Sequence, residues 1–306
     1  MLDLVIIGAS AAGASAGIYA ARKNLNFKII AKETGGEIAT SGEVANFPGW
    51  GKILGKDISE KFQEHLRMYN VYPETGLLAK KIKINDNNFE ITAQEEKKEK
   101  KYQAKSVIIA TGMKPRRLSI DGEKKFRNKG VTYCSVCDAP LFKGKTVAVI
   151  GGGNSALESA IMLKDIAKKV YLLNIHSKFK GDEILIEKIK ESEKIKTIYN
   201  ATTTKIIGDN FVNTIQYKNK KTEKQEIKVQ GVFVHIGMKP NTNFIPKKLE
   251  TNDYGEIITN KICQTNIKGI FAAGDVTNIP YKQIAIASGQ GVTAALSSIN
   301  YLNKIK

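Results

Sequence analysis

Apolar strands and small-residue helices alternate at the start of the chain. Leu2–Ile7 is apolar except for Asp3 and rich in β-branched residues, a glycine turn follows it, and an alanine-rich stretch extends from Gly13 to Arg22. Phe27–Ile30, apolar except for Lys28, reads as a second strand. A buried strand, a glycine turn, a helix and another strand form the pattern of a βαβ unit in a parallel sheet. The pattern predicts that the chain begins with a doubly wound α/β domain.

The same pattern returns near the middle of the chain. Thr146–Ile150 is an apolar strand, Gly151–Gly153 a glycine turn, Asn154–Ile166 a helix and Val170–Leu173 a second strand. Two such units predict an α/β protein with two Rossmann-like dinucleotide-binding domains.

Further apolar runs place the second unit inside the first. Ser106–Ala110 and Val232–Ile236 each lead into a glycine turn, and Pro115 and Pro240 follow those turns. We interpret these prolines as hinges where the chain leaves the first domain and re-enters it. A last strand and a long small-residue helix, from about residue 283 to 300, complete the first domain. The predicted segments are residues 1–114 and 241–306 for the first domain and residues 115–240 for the inserted one.

The overall composition is that of an ordinary globular protein. Of 306 residues, 42% are hydrophobic and 25% are charged, so two packed cores are available. No apolar run reaches the ~18 residues of a membrane span. The first residues lack the features of a signal peptide, and three cysteines cannot make a secreted disulfide framework. We therefore expect a soluble, cytoplasmic protein with no membrane partner.

The net charge of +18 raises the question of a nucleic-acid partner. Much of the lysine lies in two runs of mixed sign, residues 95–101 and 218–224, which we interpret as solvated hairpin turns. Aromatic and basic residues do not interleave as they do in proteins that stack bases. We expect no nucleic-acid partner, and the charge favours solubility or the attraction of an acidic partner.

The first glycine turn reads Gly8-Ala9-Ser10-Ala11-Ala12-Gly13. A dinucleotide fingerprint needs glycine for a tight turn, for close approach to the pyrophosphate and for helix–strand packing. Here Ser10 occupies the middle place, so the backbone should approach the phosphates less closely. Its location between a buried strand and an alanine-rich helix still indicates a dinucleotide site rather than a bare structural turn.

The second turn reads Gly151-Gly152-Gly153-Asn154-Ser155-Ala156 and fits the fingerprint with alanine in the last place. The helix that follows offers its N-terminal amide groups to a phosphate. The alternative is a flexible turn without a ligand. Two dinucleotides bound by one chain indicate a flavoenzyme that is reduced by a nicotinamide.

The residues after the next strand do not distinguish NADH from NADPH. An acid there would bind the ribose 2′-hydroxyl and an arginine would bind the 2′-phosphate, but the chain has neither between residues 173 and 180. Asn174 could hydrogen-bond the hydroxyl, while Lys178 and Lys180 could attract a phosphate as point charges. The nicotinamide stays open at this point.

The motif Cys134-Ser135-Val136-Cys137-Asp138 is the chemical centre of the sequence. Two cysteines at this spacing can close a small disulfide, and their proximity lowers the pKa of one thiol so that it attacks at neutral pH. Asp138 could move the proton that the exchange requires, or it could instead cap a helix. We expect no metal, because zinc needs four ligands and the others available are Cys263 and the scattered His65, His176 and His235. Cys263 itself is interpreted as a packing thiol.

These features together resemble the low-molecular-weight thioredoxin reductases. The resemblance rests on the order of the first glycine turn, Gly35-Gly36, residues 46–49 (Asn-Phe-Pro-Gly), the Cys-x-x-Cys-Asp motif, the second turn and Gly274-Asp275, and it spans essentially the whole chain. The segments Leu141–Lys145 and Ile279–Ile284 also resemble the flavoprotein subunit of alkyl hydroperoxide reductase. That relative has an additional N-terminal dithiol domain, so an external carrier is expected to take the electrons here.

The resemblance implies FAD in the first domain and NADH or NADPH in the second. FAD would contact Gly8, Ser10, Ala11, Gly13, Glu33, Gly36, Asn46, Gly112, Gly274, Asp275, Gln283, Ile284 and Ala285. The nicotinamide nucleotide would contact Gly151, Gly153, Asn154, Ser155, Asn174, His176 and Lys180. Cys137 would lie nearest the flavin with Cys134 as its disulfide partner, and the two domains would alternate between two orientations.

Two departures from the family pattern affect the expectations. NADPH-specific members have an arginine-bearing segment where this chain has residues 174–180, and the hydroperoxide-reductase relatives use NADH, so NADH is slightly favoured even though Lys180 takes the place of a phosphate-binding arginine. Ala139 stands where a glycine commonly follows the aspartate, which should alter the local turn without abolishing the chemistry.

The leading hypothesis is a flavin disulfide reductase, catalytic through Cys134, Cys137 and Asp138, that reduces a thioredoxin- or glutaredoxin-like protein and forms a homodimer as family members do. The alternatives are a dithiol oxidase that produces peroxide, an electron donor to a peroxidase system, and a redox-sensing flavoprotein without turnover. Two intact nucleotide turns argue against the sensor, which needs no second nucleotide.

Overall fold

The computed structural model describes residues 1–41, 43–44, 46–86, 88–96 and 98–305, and of Glu43 and Cys137 it describes only the backbone. The chain divides into two compact units. The first consists of Met1–Lys114 and Lys239–Lys306, and the second of Pro115–Met238. The second unit is thus inserted into the first, with the return two residues earlier than the sequence prediction places it.

The first unit is built on a six-stranded sheet with helices packed against it. Its strands are β1 (Leu2–Ala9), β2 (Phe27–Thr34), β5 (Leu77–Ile84), β6 (Phe89–Glu95), β7 (Lys98–Ile109) and β18 (Ile270–Ala272), and short strands β3 (Glu43–Val44) and β4 (Ile53–Leu54) pair separately. Its helices are α1 (Ala11–Arg22), α2 (Gly36–Ala39), α3 (Gly55–Arg67) and α7 (Ile284–Lys304).

The sheet of the first unit is parallel around its centre. β1 pairs in parallel with β2 and with the end of β7, and β18 pairs in parallel with β7. Leu4 and Ile6 of β1 face one apolar cluster and Val5 and Ile7 face another. Burial on both faces explains why the strand reads as a continuous apolar run rather than an alternating one. The carboxyl ends of these strands therefore meet at one edge of the sheet.

The second unit contains a five-stranded parallel sheet. Its order is β12 (Ile195–Ile198), β11 (Lys169–Leu173), β10 (Thr146–Ile150), β16 (Gly231–Val234) and β9 (Val131–Thr132). Helices α4 (Ser135–Asp138), α5 (Asn154–Lys164) and α6 (Glu183–Lys190) and a 3₁₀ turn (Ala139–Phe142) accompany it. A separate antiparallel sheet comprises β13 (Thr202–Gly208), β14 (Val212–Lys218) and β15 (Lys224–Lys228). Short strands β8 (Met113–Pro115) and β17 (Met238–Pro240) run across the two unit boundaries.

The α/β fold predicted from the sequence is confirmed. The two lysine-rich runs, residues 95–101 and 218–224, each join a pair of antiparallel strands. β14 and β15 pair across residues 219–223, as a hairpin requires. The first run differs from the prediction, because Lys98–Lys101 belong to β7 and pair with β6 instead of forming a turn. Lys97, in the same run, lies outside the described residues. Lys98–Lys101 are all exposed, and buried Tyr102 and Ala104 then flank exposed Gln103, so this antiparallel end of β7 is half-solvated.

Candidate active site

The first glycine turn is packed so tightly that a side chain at Gly8 or Gly13 would clash with the neighbouring backbone. Gly8 has φ +115°, and a β-carbon there would lie 2.2 Å from the carbonyl oxygen of Ala110. A β-carbon at Gly13 would lie 1.9 Å from the carbonyl oxygen of Gly8. The two contacts hold the start of α1 against the ends of β1 and β7. Because no described side chain caps α1, its first amide groups are available to a phosphate.

Ser10, the departure from the glycine fingerprint, has a structural role. Its hydroxyl donates a hydrogen bond of 2.6 Å to the carbonyl oxygen of Gly35. A β-carbon at Gly36 would lie 3.5 Å from that of Ser10. The serine therefore ties the first glycine turn to the second Gly-Gly turn, and it brings Ser10, Ala11, Gly13 and Gly36 together around the N-terminus of α1.

Acidic groups gather at the carboxyl ends of β2 and β18. Glu33 lies at the end of β2, 20 residues after Gly13, which is where a ribose-binding acid is expected in a Rossmann unit. Burial raises the pKa of Glu37, and the negative charges of Glu33 and Asp275 raise it further. Burial also raises the pKa of Asp275, against the opposing effect of Lys282. Glu37, which was not predicted from the sequence, thus belongs to the same cluster, and its position directly after Gly36 could have indicated it.

The remaining predicted flavin residues converge on the same edge of the sheet. Gly112 follows β7 with φ +59°, and no atom of the described residues lies within 4 Å of where its β-carbon would be. Gly274 follows β18 with φ +78°, and a β-carbon there would meet that of Ala12 in α1 at 3.0 Å. Gln290 of α7, which was not predicted from the sequence, accepts a 2.8 Å hydrogen bond from the Gly274 amide. The turn after β18 is therefore held between α1 and α7.

Residues far apart in the sequence also meet at the start of α7. The Asn46 side-chain amide donates a 3.2 Å hydrogen bond to the Gln283 side chain, 237 residues further along the chain. Ile284 packs with the buried Ala11, and Ala285 follows in the first turn of α7. With the open amides of α1, the acidic cluster and the uncrowded Gly112, these residues fit a flavin dinucleotide.

The second glycine turn has the same architecture in the other unit. Gly151 has φ +148°, and a β-carbon there would lie 2.1 Å from the carbonyl oxygen of His235. Gly153 is the N-cap of α5, and within the described part of the chain no side chain caps this helix and no atom lies within 4 Å of the Gly153 β-carbon position. Asn154 and Ser155 are exposed in the first turn of α5. An open helix N-terminus behind an uncrowded glycine fits a pyrophosphate.

Asn174 connects the loop after β11 to this turn. The side chain is 1% exposed, and its amide donates to the carbonyl oxygen of Lys178 at 2.9 Å and accepts from the His176 amide at 3.1 Å. The Lys180 amide donates to the carbonyl oxygen of Gly152 at 2.8 Å. Asn174 therefore braces its own loop, while the side chains of His176 and Lys180 are exposed beside the turn.

A further polar residue at the second turn was not anticipated from the sequence. Asn154 donates to the Asp182 carboxylate at 3.0 Å and accepts from the Asp182 amide at 2.8 Å. This reciprocal pair holds the loop after residue 180 against the start of α5. An aspartate shortly after a lysine-containing loop and before an amphipathic helix could have been identified as an N-cap, which is the place that Asp182 takes at α6.

The dithiol motif forms a single helical turn. Cys134 directly precedes α4 and is disulfide-bonded, and Cys137 lies within α4, with its side chain outside the described part of the chain. The Asp138 amide donates to the Cys134 carbonyl oxygen at 3.3 Å. The Asp138 carboxylate accepts a short hydrogen bond from the Thr132 hydroxyl, which itself accepts from the Cys134 amide at 3.1 Å. Among the described residues, Asp138 makes no side-chain capping bond to the 3₁₀ turn that follows it.

The sequence predicts neither a metal site nor a membrane-spanning helix, and both features can be looked for in the described part of the chain. Within it, no group of three or more histidine, cysteine, aspartate or glutamate side chains is arranged to hold a metal ion. No helix there is long and apolar enough to cross a membrane.

Cys263 is buried, 2% exposed, and burial raises the pKa of its thiol to about 11. A thiol of this kind is a packing group.

Known proteins share this architecture over nearly the whole chain. A family model described as pyridine nucleotide-disulphide oxidoreductase matches residues 2–291. A crystal structure of Lactococcus lactis thioredoxin reductase superimposes with a TM-score of 0.89 at 34% identity, covering 99% of this chain and 100% of that one.

Two curated relatives are longer. An alkyl hydroperoxide reductase subunit of Staphylococcus epidermidis is 40% identical over 301 residues, which are 98% of this chain and 59% of that protein. A protein named NADH dehydrogenase from Ferdinandcohnia aciditolerans is 41% identical over 301 residues, which are 98% of this chain and 57% of that protein. The chain therefore spans less than three fifths of the length of these relatives.

The resemblance inferred from the motifs is confirmed by these matches, and so is the fold. The family uses FAD and a pyridine nucleotide, and both glycine turns fit such ligands. The chain belongs to the pyridine nucleotide-disulphide oxidoreductase family and has the thioredoxin reductase fold.

Proposed function

We propose that the protein is a thioredoxin-disulfide reductase, in which electrons from NADH or NADPH reach a Cys134–Cys137 disulfide and then a thioredoxin- or glutaredoxin-like protein. The observation that carries this proposal is the Cys-x-x-Cys turn in the same unit as the second nucleotide turn. Bound FAD supplies two-electron transfer between a nicotinamide and a disulfide. The first unit, residues 1–114 and 239–306, would hold FAD, and the second would hold the nicotinamide nucleotide.

The chain's own residues have distinct parts in this reaction. The open amides of α1 and α5 bind pyrophosphate, while Glu33 and Asp275 accept hydrogen bonds from FAD hydroxyls. Asp138 takes up and returns the proton at the thiol. Its position supports this role, because the Thr132 hydroxyl links its carboxylate to the backbone of Cys134.

The surface around the dithiol supports a protein substrate. Val136 and Leu141 are 39% and 67% exposed, and both lie within seven residues of Cys134. A pocket of about 160 Å³ beside Tyr133 carries the cationic side chains of Arg117, Lys124 and Arg127. Exposed apolar side chains, together with a pocket lined by three cationic side chains and the carboxylate of Glu123, are suited to a folded partner with an acidic face. The high positive charge of the chain has a use in attracting such a partner.

The first experiment is anaerobic stopped-flow reduction of the FAD-loaded protein, with NADH and NADPH compared at equal concentration. We expect rapid bleaching of the flavin, with NADH favoured, since the loop of residues 174–180 has no arginine. Lys180→Ala should then weaken NADPH use more than NADH use. Absence of bleaching with either nucleotide would refute the proposal.

The second experiment replaces the cysteines one at a time. Cys134→Ser and Cys137→Ser should each keep flavin reduction and lose reduction of a thioredoxin- or glutaredoxin-like disulfide. Cys263→Ser is the matched control and should leave turnover unchanged, since the Cys263 thiol is buried and is distant in sequence from the dithiol motif. Turnover of the protein disulfide by either dithiol variant would contradict the mechanism. Sedimentation of the same preparations tests the homodimer that we propose.

A second candidate function is electron supply to a peroxidase system through a small carrier. It is favoured by the 40% identity to a protein named as an alkyl hydroperoxide reductase subunit. Peroxide consumption that needs a carrier and a peroxidase would support this role. Peroxide production that keeps pace with turnover without any carrier would instead identify a dithiol oxidase.

A further inference from the structure

Three polar side chains form a hydrogen-bonded cluster against the dithiol turn. The Ser135 hydroxyl lies 2.7 Å from Nε2 of His235 and also hydrogen-bonds the hydroxyl of Ser159. Ser135 is the residue that follows Cys134, Ser159 lies in α5, and His235 directly follows β16. Ser135 and Ser159 are 7% and 3% exposed. One serine inside the Cys-x-x-Cys motif is thus bonded to both the sheet and the nucleotide helix of its unit.

The imidazole in this cluster is held in place by its own backbone. The His235 amide donates to the carbonyl oxygen of Ile150 at 2.8 Å, and the His235 carbonyl oxygen lies 2.1 Å from where a β-carbon on Gly151 would be. The histidine is therefore attached to the carboxyl ends of β10 and β16. Burial lowers the pKa of His235 to about 4, so the ring is neutral at neutral pH.

A neutral, anchored ring beside the dithiol is suited to holding a position rather than to carrying protons. α4 is only four residues long, and a helical turn of this length has no stability of its own. Its order must come from contacts such as those of Ser135. A turn that is already ordered keeps the two cysteine backbones at a fixed separation, which reduces the entropy lost when their disulfide closes.

We propose that His235 is a positioning residue for the dithiol: by anchoring Ser135 it favours the disulfide over the open dithiol. The inference rests on the proposed function in so far as it takes Cys134 and Cys137 to be the working redox pair. The sequence indicates His235 only as one of the scattered histidines that zinc would need, because nothing in the local sequence relates it to a serine 100 residues earlier.

The test measures the dithiol–disulfide equilibrium in the FAD-loaded, full-length protein. Wild type, His235→Ala and His235→Gln are equilibrated in a series of glutathione buffers, and the thiols of Cys134 and Cys137 are counted by alkylation and mass spectrometry. Loss of one hydrogen bond should move the equilibrium of His235→Ala toward the dithiol by about threefold or more. The glutamine amide can bond Ser135 at a similar reach, so His235→Gln should stay within about twofold of wild type.

Controls separate positioning from general destabilisation. His65→Ala removes an exposed imidazole from α3 of the other unit and should leave the equilibrium unchanged. Ser159→Ala breaks the second contact of Ser135 and should shift the equilibrium in the same direction by a smaller factor, which keeps the test decisive if His235→Ala does not fold. An unshifted His235→Ala, or a glutamine variant shifted as far as the alanine variant, would overturn the inference.

The outcome is distinguishable from failure of the proposed function. The glutathione equilibrium requires neither a nicotinamide nor a protein carrier. If the wild-type protein reduces no carrier disulfide, the proposed function fails even when the His235→Ala equilibrium shifts. If turnover is normal and the equilibrium does not shift, only the positioning role fails.

Discussion

Gly13 offers a stringent test of how the proposed flavin site is built. An alanine at this position places a β-carbon 1.9 Å from the carbonyl oxygen of Gly8, whereas real β-carbons essentially never come closer than 3.0 Å to such an atom. The start of α1 and the end of β1 must therefore separate by about 1 Å, the difference between the two distances. The β-carbon is fixed to the helix backbone and the oxygen belongs to the backbone of Gly8, so no side-chain rotation relieves the clash.

The magnitude follows from two opposing contributions. Overpacking a buried contact costs about 1–3 kcal/mol, and a clash between a β-carbon and a backbone oxygen belongs at the upper end of that range. Alanine regains about 1 kcal/mol over glycine through its helix propensity. The net loss is about 2 kcal/mol, which corresponds to a fall in Tm of about 4–8 °C for a unit of this size.

The assay combines thermal unfolding by circular dichroism with the FAD retained after gel filtration. Gly13→Ala should unfold earlier and retain less flavin, because the displaced helix start withdraws its amides from the pyrophosphate. Gly289→Ala is the matched control: it lies within α7 with no atom of the described chain within 4 Å of its β-carbon position, and it should raise Tm by about 2–4 °C. A Gly13→Ala protein with wild-type Tm and full flavin content would refute this account of the turn.

Three further predictions concern stability and reactivity. Partial burial alone would raise the pKa of Glu74, but hydrogen bonds outweigh it and lower the pKa from an ordinary 4.5 to about 2; the donors are Lys100, Tyr102 and Lys28. The stabilisation by ionised Glu74 is complete above pH 4.5 and is lost as the pH falls toward 2. The difference in Tm between wild type and Glu74→Gln should therefore be largest near pH 7 and shrink as the pH falls from 4.5 to 2. A difference in Tm that does not depend on pH would contradict this role of Glu74. The Thr203 hydroxyl is buried without a hydrogen-bond partner among the described residues. Thr203→Val should therefore raise the free energy of unfolding, measured by urea titration, by about 1 kcal/mol. A loss of stability would show that the hydroxyl does have a hydrogen-bond partner. Because burial raises the pKa of the Cys263 thiol to about 11, this thiol should resist Ellman's reagent in the folded, oxidised protein at pH 8 and react once the protein is unfolded. Rapid reaction in the native state would show that the thiol is accessible.

The elements that carry the nucleotide turns could be predicted from the sequence because their signals are local. A strand buried on both faces is a continuous apolar run, and a helix that packs closely on it is rich in alanine and glycine. β1, β10, β11 and β18 were all recognisable in this way. The half-solvated β5 and β13 were not predicted, and β14 and β15 were indicated only through the hairpin turn between them, because alternating polar strands have little local signal until a partner strand covers one face.

The Cys-x-x-Cys spacing and the glycine turns were likewise decided by neighbouring residues, and they sufficed to indicate a redox dithiol together with two dinucleotide sites. The surroundings of these motifs were decided by tertiary structure. The bond between Ser10 and Gly35 explains why serine is accepted in a glycine fingerprint, and the contact of Ser135 with His235 joins residues that are 100 positions apart. Such pairings depend on which strand ends share an edge of a sheet, and sequence periodicity contains no information about that. The chemistry of the motifs could therefore be predicted from the sequence, whereas the groups that hold them in place became visible only when the sheets brought distant residues into contact.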